Sequence, residues 1–153
     1  MYSYINMTPF LLSIALLFTS CDVKPIPPGR AIYKNLHLEN ADFQGINLPE
    51  TDFSGAHLNS ANFSNAHIES AYFIKADLTS ANLTGVNAQH VNFKEANLTD
   101  ADLSHGDFQY AYFEKATLTG AKADGANFHG AKGLSIETIA NLERAGAFFT
   151  NNF

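Results

Sequence analysis

From Tyr33 to Phe128 an apolar residue stands at every fifth position, without insertion or deletion. The stretch ADLTSANLTGVNAQHVNFKEANLTDADLS, residues 76–104, shows the rest of the unit. A small residue stands two places before each apolar centre, Asn or Asp usually lies between them, and two mostly polar residues follow. A period of five suits neither an α-helix, which repeats its buried face every 3.6 residues, nor a strand, which repeats every two. Two residues in five can therefore face an interior, while three face water.

The small residue is usually Ala, as at Ala41, Ala61 and Ala81. This unit resembles the pentapeptide repeat, A(D/N)Lxx, over residues 31–130. The resemblance implies an all-β solenoid, a right-handed quadrilateral β-helix with one quintet per side and four quintets per turn. The residues carry an independent sign of that turn, because like stands above like at a separation of 20. Tyr33, Phe53, Phe73, Phe93 and Phe113 form one aromatic column, and Leu38, Leu58, Leu78, Leu98 and Leu118 form a second. A third runs Phe43, Phe63, Leu83, Leu103, Ala123, and a fourth runs Leu48, Ile68, Ala88, Phe108, Phe128. One turn cannot bury its centres alone, but stacked turns enclose a continuous apolar shaft. At about 4.8 Å per turn, five turns give a rod on the order of 25 Å long. Where Ala88 leaves space, Val86 and Val91 are larger than the usual Ala and compensate locally.

Residues 134–146, LSIETIANLERAG, abandon the period of five. Ser135 is placed to cap a helix, Leu134 and Ile139 suit a hydrophobic staple, and Gly146 suits a C-terminal stop. A short C-terminal capping helix is expected over the open end of the shaft, within a cap of residues 131–153. Phe148, Phe149 and Phe153 are expected to complete that cap. The alternative, allowed by the resemblance because some pentapeptide-repeat proteins pair through C-terminal helices, is a homodimer contact through this segment.

At the other end, residues 10–18 read FLLSIALLF. The run is too short to span a membrane, which takes about 20 apolar residues, but it fits the apolar region of a secretory signal. It ends in Phe18-Thr19-Ser20-Cys21, which resembles the bacterial lipoprotein box. That resemblance implies a signal peptide at residues 1–20, acylation of Cys21 and anchoring to a membrane through the acyl chains. Asp22 resembles the residue that retains lipoproteins at the inner membrane, facing the periplasm. Residues 21–30 form a Pro-rich tether, whose three prolines favour an extended path.

Composition narrows the functional classes. Nine Lys and Arg against 15 Asp and Glu give a formal net charge of −6, which argues against direct binding of nucleic acid. Cys21 is the only cysteine, so no intrachain disulfide can form. No Gly-rich phosphate loop or HExxH motif is present, and the carboxylates lie on the outside of a rod without an evident cleft. No catalytic residue, cofactor or metal site is assigned, and the protein is not expected to be an enzyme. His37, His57 and Asp77 share one outward position on successive turns and are read as a solvated polar ladder.

The outward charge differs between sides: net +1 on the side of the aromatic column, −3 on the Leu side, −2 on the third and −3 on the fourth. On the near-neutral side, Lys75, Glu95 and Lys115 line up for a salt-bridge ladder. The same side carries Ile32, Tyr72, Ile74 and Tyr112 at outward positions, with Tyr110 at its edge. Apolar and aromatic residues grouped on one face make Tyr72, Ile74, Tyr110 and Tyr112 the candidate surface for a protein partner. The leading expectation is a membrane-tethered structural or protein-interaction module of the bacterial cell envelope. The alternative, drawn from the family, is an acidic rod that imitates DNA and binds DNA gyrase. Its acidic residues would be expected in dense rows, whereas here they are spread over three sides.

Overall fold

The computed structural model describes residues 31–149. Cys21, Asp22, the signal and tether segments, and Phe153 lie outside the described residues. Over 31–132 the chain coils with a repeat of 20 residues. Parallel bridges join each residue before a centre to its counterpart one turn on, as in Ile32–Asp52–Tyr72–Asn92–Tyr112–Lys132 and His37–His57–Asp77–Asn97–Thr117. The other two columns are Asp42–Asn62–Asn82–Asp102–Lys122 and Asn47–His67–Asn87–Asp107–Asn127. The expected strands are absent among the described residues, where each side contributes an isolated bridge. Geometry is the reason. Two residues of each five form a turn, so only three remain between corners, and the middle one alone forms a bridge.

The corners explain the polar half of the repeat. At nearly every corner the N–H three residues after the centre returns to the centre's carbonyl, as from Ala41 to Leu38 at 3.1 Å and from Ala76 to Phe73 at 3.0 Å. The second residue of each corner has positive φ, including Asn65 (56°), Lys75 (60°) and Tyr110 (59°), while the first does not. This is the type II pattern. The N–H immediately after a centre is left without a backbone acceptor. Asn or Asp two residues earlier accepts it: Ser54 N–H to Asp52 at 2.9 Å, Lys94 N–H to Asn92 at 3.0 Å, and Ser104 N–H to Asp102 at 3.1 Å. At Pro49 the need disappears, because Pro has no N–H and its fixed φ suits the first corner position.

Inside, most centres and the small residues preceding them are buried, with Leu48, Ala116 and Ala121 half-buried; Phe53, Phe73, Leu78, Leu98 and Phe128 are fully enclosed. The aromatic column stacks as expected, with centroid separations of 5.0 Å for Tyr33–Phe53, 4.8 Å for Phe53–Phe73, 5.3 Å for Phe73–Phe93 and 5.2 Å for Phe93–Phe113. In the first turns this column meets the third edge-on: Phe43–Phe53 at 5.5 Å and 82°, Phe53–Phe63 at 5.6 Å and 88°, Phe63–Phe73 at 5.6 Å and 81°. Higher up, Leu83 and Leu103 occupy the third column and the aromatic partner moves to the fourth. Phe108 lies tilted between Phe93 and Phe113, 6.2 Å from each. Val86, Ala88 and Val91 are all buried, so the two valines do fill the interior beside Ala88.

Helix α1, Ile136–Arg144, follows the last full turn. Ser135 caps it by accepting the Thr138 N–H at 3.1 Å, Glu137 lies in its first turn and Arg144 in its last. Its end is a Schellman motif: Gly146 N–H reaches Glu143 O and Ala147 N–H reaches Leu142 O, both at 3.0 Å, with Gly146 at φ +95°. The chain then rejoins the coil. Phe148 bridges Asn127, and Phe149 stacks on Phe128 at 5.4 Å and 22°. The helix is thus an excursion that closes the shaft, after which the fourth column gains one more ring. Leu142 is buried, and Leu134, Ala145 and Phe149 pack against the core.

Candidate interaction surface

Tyr72 and Tyr112 occupy the same bridge column, two turns apart, with Asn92 between them. Both stand where most quintets carry the Asn or Asp that caps a corner, so each position forgoes that cap for an outward ring. Tyr112 is 43% exposed and Tyr110 41%, whereas Tyr72 and Ile74 are half-buried. Tyr110 sits at the corner entering this side. Its ring stacks on His90 at 5.2 Å and 13° and meets His129 edge-on at 5.7 Å. Nδ1 of His129 is buried there without a hydrogen-bond partner.

Beside Tyr112 lies a shallow groove of about 370 Å³, lined also by Asn92, Lys94, Glu114, Lys132 and Gly133. The Lys132 Nζ stands 5.4 Å from the Tyr112 ring centroid, within cation–π range. Lys94 and Glu114 pair across its floor at 3.4 Å. Lys132 and Gly133 were not among the residues singled out from the sequence. The signal was available, since Lys132 follows Tyr112 by one turn and extends the column beyond residue 130. Of the anticipated salt-bridge ladder, the Lys75–Glu95 rung forms, at 3.7 Å.

The expected polar ladder of His37, His57 and Asp77 is divided. Asp77 turns upward, accepting from the Thr79 hydroxyl at 2.6 Å, while Asn97 donates to that hydroxyl at 2.9 Å. His37 and His57 stack at 4.5 Å and 6°. His37 Nδ1 lies 2.8 Å from Glu39, and that hydrogen bond, with Glu39's own backbone amide, holds the carboxyl below its ordinary pKa.

The pentapeptide-repeat profile matches residues 37–73, 61–100 and 96–132, more than half of the chain. The chain belongs to the pentapeptide repeat family. The chain is also similar to solved structures. A pentapeptide repeat protein from the Arabidopsis thaliana thylakoid lumen is similar at TM-score 0.59 and 27% identity, covering 78% of this chain and 84% of that one. A pentapeptide repeat protein from Nostoc is 23% identical over 92% of this chain and 95% of that one, at TM-score 0.38. QnrB1, a plasmid-mediated fluoroquinolone resistance protein, is 16% identical over 78% and 71%, at TM-score 0.47. No curated protein sequence matches the chain significantly. Among the described residues of this family member, no helix is long and apolar enough to cross a membrane.

Proposed function

We propose that this chain is a membrane-tethered, non-catalytic protein-interaction module of a bacterial cell envelope. In this reading Cys21 carries the acyl anchor, Asp22 keeps the protein at the inner membrane, and a right-handed β-helical rod presents one side to a protein partner. The observation that carries the interaction role is the exposed pair Tyr110 and Tyr112, continued by half-buried Tyr72 and Ile74. Rings that sit on a rigid coil lose little conformational entropy when a partner covers them. The gyrase-binding alternative stays second, because the acidic residues are distributed over three sides and an exported, acylated chain does not meet gyrase.

Two variants test the two halves of this reading. Cys21→Ser should leave the protein unprocessed or soluble on cell fractionation; unchanged membrane association and an unchanged processing pattern would refute the anchor. The double variant Tyr72→Ser, Tyr112→Ser should keep its circular dichroism spectrum and lose crosslinks to a partner in cells. A full crosslinking pattern would place binding elsewhere on the rod.

A further inference from the structure

The Leu side begins with a cluster that no other side repeats. His37 and His57 are one turn apart in a parallel bridge, and Glu39 follows His37 at the first corner position. One ligand atom from each of the three lies within 4.8 Å of the other two, and all three residues are exposed. Higher in the same columns the chain carries residues of the ordinary repeat: Asp77 and Asn97 above the histidines, Asn59, Thr79 and Thr99 above Glu39. The two histidine positions thus depart from the Asn or Asp rule, and departures from a local rule concentrate where function is carried.

We propose that His37, Glu39 and His57 bind one divalent transition-metal ion of the Zn²⁺ type. Two imidazoles and a carboxylate suit borderline ions, whereas Ca²⁺ and Mg²⁺ require sets of oxygen ligands. In a tetrahedral zinc site the ligand atoms stand about 3.3 Å apart. The three atoms must therefore close by about 1.5 Å at most to reach that spacing. Rotation of exposed side chains allows this without moving the coil, provided the stacked rings tilt toward one another. The coil supplies the preorganisation, because the bridge between positions 37 and 57 holds the two histidine backbones together. Three protein ligands leave one position open to water or to a donor from another molecule.

The molecule contains its own control. His67 and Glu69 repeat the His-x-Glu spacing and lie 3.6 Å apart, but Asn47 and Asn87 occupy the bridge positions below and above His67. That pair lacks the second imidazole.

The test is calorimetric titration of the full chain carrying Cys21→Ser, which removes the thiol as a competing ligand, with Zn²⁺ alone as the probe. One ion should bind per chain, with shifts of the His37 and His57 imidazole resonances. His57→Asn, which restores the residue type of the ordinary repeat, should weaken binding at least about tenfold, since even removal of groups supporting a metal ligand costs 10–100-fold. His67→Asn should leave the affinity unchanged. Equal affinities for the parent chain and His57→Asn would overturn the proposal, as would an equal loss in His67→Asn. Circular dichroism of each variant separates a lost ligand from a lost fold.

Discussion

The lower and upper halves of the shaft solve one packing problem in two ways. Through Phe73 the aromatic column packs edge-to-face against Phe43 and Phe63 of the third column, while Leu48 and Ile68 stand in the fourth. Above it the third column shrinks to Leu103 and Ala123, and Phe108 and Phe128 fill the fourth. Between the halves, Leu83 and Ala88 leave the least side-chain volume, and buried Val86 and Val91 replace the usual Ala. The difference teaches that the repeat constrains the filling of each turn more tightly than the identity at any one position. Interiors pack to crystal-like density, so volume given up on one side must be supplied by another.

The comparison can be broken most forcefully at the shared column. Phe73→Ala removes a ring that stacks on both Phe53 and Phe93 and meets Phe63 edge-on. A loss of about 3–5 kcal/mol is expected, read as a lower urea midpoint at unchanged slope. Next comes the narrow middle turn. Ala88→Leu should cost about 1–3 kcal/mol through overpacking. Adding Val86→Ala should recover part of that loss, and strictly additive destabilisation in the double variant would mean that the two positions do not share volume.

A smaller effect is expected at Gly106, which stands where other quintets carry Ala. A Cβ there would lie 2.5 Å from Cε2 of Phe108 and 3.0 Å from the Leu103 carbonyl oxygen. Gly106→Ala should cost about 1 kcal/mol, at the low end of overpacking, because only one methyl group is added. In a Phe108→Leu background, which returns the quintet to its usual form, the same change should cost less. The smallest effect lies outside the shaft. Burial pushes the Asp102 carboxyl up, but hydrogen bonds from Ser104 and the charge of Lys122, 3.5 Å away, outweigh it and leave its pKa lowered. Its contribution is therefore present above the unfolded carboxylate pKa and is lost as pH falls through the lower folded value. Asp102→Asn should flatten acid unfolding over that window while changing stability by no more than about 1 kcal/mol at neutral pH.

Much of this was legible beforehand. The columns at a separation of 20, the Ser135 cap and the Gly146 stop are local or periodic signals, and each has its counterpart in the structure. The all-β solenoid that the resemblance implied is met only as isolated parallel bridges, because two corner residues in five leave room for one bridge per side. On the outer face, Tyr112 was identified but its neighbour Lys132 was not, since the register was stopped at residue 130. Thr79, an outward residue after Leu78, links Asp77 to Asn97, a partnership that no local pattern announces.

By itself, the sequence determined which residues point inward, how many make a turn and where the coil gives way to a helix. Strict periodicity leaves the backbone no second register that buries the same side chains. Tertiary structure alone decided the side-chain partnerships: Phe108 tilting between Phe93 and Phe113, Asn and Asp capping the amide after many of the centres, and His37 joining Glu39 and His57 while Asp77 turns away. A repeat sets where each Cα stands, but an outward side chain has several staggered rotamers of similar energy. Neighbours 18 or 20 residues away choose among them, and those neighbours become adjacent only once the chain has coiled.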